Sequence, residues 1–197
     1  MNTNEFSVRQ IEIMEAATKR IDQHGIQDLT IKNLASDLKL SEAALYRHFK
    51  SKNEILLGLL TYFIVEMNHR ISNIVSNTDI NPSEKLQLIF QSQLKTFTQN
   101  PAIVSVIFAE GIFQFNHELS SKLSAMMSLM QKNIHLIISK GQKDGQFNSI
   151  LGEDTITTIV MGSMRMVVLK WKLSGNSTNL EKDGNKVLNG LIKLLEK

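Results

Sequence analysis

The chain has 197 residues, 42% of them hydrophobic and 21% charged, with 22 Lys and Arg against 19 Asp and Glu for a formal charge of +3. That length can bury a sizeable core without covalent or metal staples. The absence of cysteine excludes disulfide frameworks, iron–sulfur clusters, thiolate zinc sites and cysteine nucleophiles, and two prolines with ten glycines argue against a turn-rich β-sandwich.

Helical periodicity begins near the N-terminus, where Ile11, Met14, Ala17, Thr18 and Ile21 predict an amphipathic helix ending at Gly25. Thr30 is placed to cap a short helix carrying Ile31, Leu34, Ala35 and Leu38. Ser41 caps a second one through Phe49, with Leu45 on the same side. Ser51 and Glu54 have the spacing of a capping box and open a long helix through Ile55, Leu59, Phe63, Met67, Ile71 and Ile74. Asn81-Pro82-Ser83-Glu84 starts a helix to Gln99, and Asn100-Pro101 restarts the chain into a short apolar helix through Ile107. Gly111 to Asn116 reads as a bend or broken helix. A long helix then runs from Glu118 to Lys143, followed by a turn-rich linker from Gly141 to Gly152. Two helices, Glu153 to Leu173 and Leu180 to Leu195, close the chain. Strand-like alternation is sustained nowhere, so the expected fold is all-α with nine helices, give or take one. The polar stretch Met1 to Gln10 lacks the apolar core of a signal peptide, and the greasiest run, Ile156 to Trp171, is interrupted by Arg165 and Lys170. A cytoplasmic location is expected.

The two short helices between residues 30 and 50 are joined by the tight turn Lys39-Leu40. Each is too short to persist alone, because nucleation costs more than one or two turns of hydrogen bonds return. They hold only if their apolar faces lock together, and Leu34, Ala35, Leu38, Leu40, Ala44, Leu45 and Phe49 supply that lock. The pattern is a helix-turn-helix, whose second helix fits a DNA major groove. From Lys39 to Lys52 there are four basic residues and one acidic, whereas residues 1 to 38 hold four basic and six acidic. The modest overall charge therefore conceals a basic stretch where a phosphate-binding surface is needed.

The runs Leu29-Thr30-Ile31-Lys32-Asn33-Leu34-Ala35-Ser36-Asp37-Leu38 and Ser41-Glu42-Ala43-Ala44-Leu45-Tyr46-Arg47-His48-Phe49-Lys50-Ser51-Lys52 resemble the TetR family of bacterial repressors. The block Leu45-Tyr46-x-His48-Phe49-x-Ser51-Lys52 carries most of the likeness, which spans residues 8 to 60; beyond it only helix number, lengths and size agree. The resemblance implies a DNA-binding domain over residues 1–52 and a ligand-binding and dimerisation domain over 53–197. It implies that Ser41, Glu42, Ala43 and Ala44 face bases and that Tyr46 and His48 touch phosphate or base. Thr30 and Lys32 would touch the backbone, and Lys52 would meet a phosphate at the start of the next helix. Arg47 and Lys50 join this surface by charge. Lys39 stands where the family usually has glycine, and a left-handed residue there costs on the order of 1 kcal/mol.

In the C-terminal part, methionines and aromatics mark either a binding cavity or an ordinary core. The candidates for contact with a small lipophilic effector are Phe63, Met67, Phe108, Phe113, Met127, Met130, Met164 and Trp171, with Glu110 as the polar member. No His pair has metal-ligand spacing, no glycine-rich phosphate loop follows a strand, and no G-x-S-x-G occurs, so neither an enzyme nor a metal or cofactor site is expected. The resulting expectation is a ligand-responsive repressor that binds a palindromic operator as a homodimer, paired through its last two helices. The competing expectations are a DNA- or partner-binding regulator without a small-molecule switch, and a sequestering protein that merely retains the motif.

Overall fold

The computed structural model describes residues 6–109 and 116–196. Among these, nine α-helices account for the architecture: α1 (Val8–His24), α2 (Ile31–Asp37), α3 (Glu42–Tyr46), α4 (Lys52–Ser76), α5 (Pro82–Gln99), α6 (Pro101–Ile107), α7 (His117–Lys143), α8 (Glu153–Leu173) and α9 (Leu180–Leu195). A 3₁₀ turn, Ile26–Asp28, follows α1. The fold is all-α, and the one extended pairing among the described residues is an isolated antiparallel bridge between Phe147 and Glu196.

The chain divides into two compact units, one of Met1–Ile64 with Asn100–Leu123 and one of Val65–Gln99 with Ser124–Lys197. Helices α4 and α7 each contribute to both. In the first unit α1 opens with a reciprocal box: Ser7 Oγ accepts from Gln10 N and the Gln10 side chain accepts from Ser7 N. Ile13, Met14, Ala17 and Ile21 form its buried stripe. Gly58 lets α4 come close, since a Cβ there would stand 2.8 Å from the sulfur of Met14. Helix α6 lacks a side-chain cap from Asn100; instead the Asp22 carboxylate accepts from the backbone N–H of Ala102.

In the second unit α9 packs on α5 closely enough that a Cβ on Gly184 would stand 2.3 Å from Leu94 Cδ1. The segment expected to be a linker after α7 is instead a packed clasp. Phe147 is fully buried, its ring lies where a Cβ on Gly141 would be, and Asn148 N donates to Leu195 O at 2.7 Å. Asn148 Nδ2 adds bonds to the carbonyls of Leu194 and Leu195, so two of the free acceptors at the end of α9 are satisfied by this loop.

Three further differences from expectation have local causes. Helix α3 ends at Tyr46 rather than Phe49, because Leu45 O accepts from both His48 N and Phe49 N and tightens the last turn while Phe49 swings into the core. The box at the start of α4 is only half reciprocal: Ser51 Oγ accepts from Glu54 N, but the Glu54 carboxylate accepts from Lys50 N. Helix α7 starts at His117, capped by Asn116 Oδ1 accepting from Leu119 N at 3.0 Å. The remainder of the expected bend, 111–115, lies outside the described residues.

Candidate nucleic-acid interface

The surface is built on α2, its turn and α3. Thr30 Oγ1 accepts from Asn33 N at 3.1 Å and Ser41 Oγ accepts from Ala44 N at 3.1 Å, so both short helices have a donor satisfied at their start. Between them Lys39 adopts φ 53°, the left-handed conformation foreseen for the turn, while Leu40 N donates to Ala35 O at 2.9 Å. Leu34, Ala35 and Leu45 are buried beneath, as the interlocking pattern requires.

Helix α1 holds this pair in place through polar contacts. Arg20 Nη1 lies 2.8 and 2.7 Å from the two carboxylate oxygens of Asp37, Nη2 lies 2.6 Å from Asp28 Oδ2, and Nε donates to Asp28 O at 3.2 Å. The Asp37 hydrogen bond, set against desolvation, keeps the guanidinium above its ordinary pKa. Asn33 Nδ2 donates to Asp28 O, and Gln10 Nε2 to His48 O at 3.3 Å. Neither Arg20 nor Gln10 figures among the sequence candidates. The spacing Ser7-x-x-Gln10 was the readable signal for the second, whereas the Arg20 grip depends on how α1 and α2 cross.

Thr30, Lys32, Ser41, Glu42, Ala43, Tyr46, Arg47 and Lys50 are exposed, and Ala44 and His48 half-buried. Tyr46 is 48% exposed while Phe49, three residues on, is buried. An aromatic left half in solvent beside Arg47 and Lys50 has little packing to justify it and is well placed to meet phosphate or base. Lys52 differs from the rest. It is half-buried, its Nζ donates to Ile26 O at 2.9 Å, and burial lowers its pKa from the ordinary 10.5.

The effector candidates are more scattered. Phe63 is buried and Phe108 half-buried in the first unit; Met67, Met130, Met164 and Trp171 are buried in the second, where Met127 is 45% exposed. Glu110 and Phe113 lie outside the described residues. Trp171 also lines an open cleft of about 970 Å³ between α8 and α9, with Met166 and Val187 in its walls. The other described candidates do not line this cleft. Among the described residues no group of His, Asp and Glu is disposed to hold a metal ion, and no helix is long and apolar enough to cross a membrane.

A capped, exposed, basic helix-turn-helix on an all-α scaffold defines a DNA-binding transcriptional regulator. Residues 13–59 match the model of bacterial regulatory proteins of the tetR family, and residues 59–194 that of the YsiA-like protein C-terminal region. The chain belongs to the TetR family. Among curated proteins it is similar to the nucleoid occlusion factor SlmA of Shewanella oneidensis, 28% identical over 130 residues, which is 66% of each chain and just under two thirds of that relative's length. The same factor from Shewanella amazonensis is 28% identical over 138 residues, 70% of each. Two solved structures share the fold. The transcriptional regulator FadR from Bacillus subtilis in complex with stearoyl-CoA has a TM-score of 0.80 at 20% identity, covering 94% of this chain and 99% of that one. The ketosteroid transcriptional regulator KstR2 of Mycobacterium tuberculosis has a TM-score of 0.79 at 22% identity, covering 98% and 97%.

Proposed function

We propose that the protein is a ligand-responsive repressor, not an enzyme, that binds a palindromic operator as a homodimer and is released by a small lipophilic effector. The observation that carries the reading is the exposed first turn of α3, flanked by Tyr46, Arg47 and Lys50 and held rigidly from behind by α1. Residues 1–52 would read DNA and residues 53–197 would bind effector and partner. Ser41, Glu42, Ala43 and Ala44 are assigned to base edges, and Thr30, Lys32, Tyr46, Arg47, His48 and Lys50 to the backbone. Lys52 acts indirectly, by fixing the 3₁₀ turn through Ile26.

Dimerisation through α8 and α9 is supported by their exposed apolar side chains: Ile159, Met166, Leu173, Val187 and Leu194 face solvent in the single chain. Two-fold symmetry then offers two α3 helices to successive major grooves about 34–36 Å apart. Effector bound among Met67, Met130, Met164 and Trp171 shifts the equilibrium toward a spacing that no longer fits; each 1.4 kcal/mol of preference for that state is about tenfold in occupancy. The solved relative bound to stearoyl-CoA makes acyl thioesters the first effector class to test.

Likeness to nucleoid occlusion factors favours one second reading, a DNA-binding or partner-binding regulator without a small-molecule switch. The deciding experiment is fluorescence anisotropy of the full chain on its own upstream DNA, across salt and with stearoyl-CoA. The repressor reading expects a salt-dependent specific complex that the thioester dissolves. A complex indifferent to lipophilic ligands supports the second reading, and no specific complex removes both. Arg47→Ala should weaken binding to all sequences and reduce the salt slope by about one, whereas Ala43→Ser should change sequence preference.

A further inference from the structure

Of the four side chains assigned to base edges, only Glu42 has a one-sided hydrogen-bonding character. Ser41 Oγ already accepts from Ala44 N at 3.1 Å, and a hydroxyl pairs with donors and acceptors alike. Ala43 and Ala44 end in methyl groups. Glu42 is exposed, and among the described residues no hydrogen bond or ion pair occupies its carboxylate. Glu54 and Glu84 show the contrast. They stand at the third positions of α4 and α5, where their carboxylates accept from Lys50 N and Asn81 N. Glu42 stands at the first position of α3 and makes no such return bond.

It is also the one acidic residue from Lys39 to Lys52. An ionised carboxylate only accepts hydrogen bonds, and phosphate repels it. On a surface that meets the DNA backbone through Tyr46, Arg47 and Lys50, its partner is therefore a donor on a base edge. The major groove offers two, the N4 amino group of cytosine and the N6 amino group of adenine. Adenine sets its N7 acceptor beside that amino group, where it opposes the second carboxylate oxygen; cytosine has only a C–H there. Glu42 also complements the dipole of α3, but that role carries no base preference and is separable by experiment.

We propose that Glu42 is a specificity-determining residue that selects a cytosine in each operator half-site, its carboxylate accepting from the N4 amino group. The assignment rests on the DNA-binding reading above, and the test keeps the two failures apart. The full chain and its Glu42→Ala and Glu42→Gln variants each select from a pool of randomised palindromic duplexes at one salt concentration. Wild-type half-sites should share a cytosine, and changing that C·G pair to T·A should weaken the wild type about tenfold. N4-methylcytosine keeps its pairing but turns a methyl group toward the groove in place of the free N–H, and should weaken the wild type similarly. Glu42→Ala should bind all three duplexes nearly equally, and should hold random-sequence DNA at least as tightly as the wild type. Glu42→Gln should select adenine instead, since an amide pairs with both N6 and N7. Enriched half-sites without a shared cytosine, or a cytosine penalty that Glu42→Ala retains, overturn the assignment and leave DNA binding intact. Parallel loss on every duplex by both variants, with a lowered melting temperature, overturns it in favour of the dipole role. If the wild type enriches no sequence, the DNA-binding reading falls and this assignment falls with it.

Discussion

The ammonium nitrogen of Lys52 lies 2.9 Å from the carbonyl oxygen of Ile26, tying the first turn of α4 to the 3₁₀ turn that follows α1. Motif position alone points Lys52 at a phosphate; the fold gives it an internal acceptor and partly desolvates it. Lys52→Ala should therefore lower stability by about 1 kcal/mol through the lost hydrogen bond. DNA affinity should fall without a change in salt slope, checked by denaturant melts and anisotropy over a salt series. A slope reduced by about one would return Lys52 to direct phosphate contact.

Lys39 holds φ 53° in the turn between α2 and α3, a conformation that costs a side-chain-bearing residue about 1 kcal/mol relative to glycine. Lys39→Gly should recover part of that and lose part to the freer unfolded chain, giving a net gain below about 1 kcal/mol in urea unfolding. A loss of stability would mean that the lysine side chain makes a compensating contact.

Two glycines of α9 separate packing within the chain from packing between copies. A Cβ at Gly184 meets Leu94 at 2.3 Å, so Gly184→Ala should destabilise the second unit by about 1–3 kcal/mol. A Cβ at Gly190 meets nothing within 4 Å in the same chain, although Gly190 lines the cleft between α8 and α9. In an isolated chain Gly190→Ala should stabilise the helix by up to about 1 kcal/mol. In the proposed dimer, where a partner helix enters that space, it should weaken association instead. Light scattering across a dilution series tells these apart, with Met166→Glu as the disruptive control.

Asp22 has its pKa raised from the ordinary 3.8, chiefly by burial and against the lowering effect of the Ala102 N–H. The folded state thus holds this proton more tightly than the unfolded one. Its charged form costs stability above the folded pKa, and the cost fades as pH falls through that value toward 3.8. Asp22→Asn keeps an acceptor for the start of α6 and removes the charge. The variant should be the more stable at neutral pH, with an advantage that shrinks on acidification in paired chemical melts. An advantage growing toward acid would reverse the sign of the argument.

Much of this molecule was legible in local pattern. Thr30, Ser41 and Ser51 cap where their spacing places them, Pro82 and Pro101 open helices, and Leu34, Ala35 and Leu45 are buried under the turn as their period demands. The exposure of Thr30, Lys32, Ser41, Glu42, Ala43, Tyr46, Arg47 and Lys50 was equally readable, because exposure on so short a pair of helices follows from which residues must be inside. These features depend on neighbours within about four positions, the range over which helix geometry and capping operate.

What only the tertiary structure decided involves partners far apart in the chain. Gly141 to Gly152 looks like a linker from its turn residues, yet Phe147 anchors it and Asn148 bonds to the end of α9. Arg20 gripping Asp37, Asp22 capping α6, Lys52 meeting Ile26 and Lys85 meeting Val75 arise because helix crossings bring charged side chains to carbonyls and carboxylates that no spacing rule connects. The sequence alone determined which faces are apolar and where helices begin. The crossings determined which polar groups are paired, because a buried charge is tolerable only beside whatever partner the packing delivers.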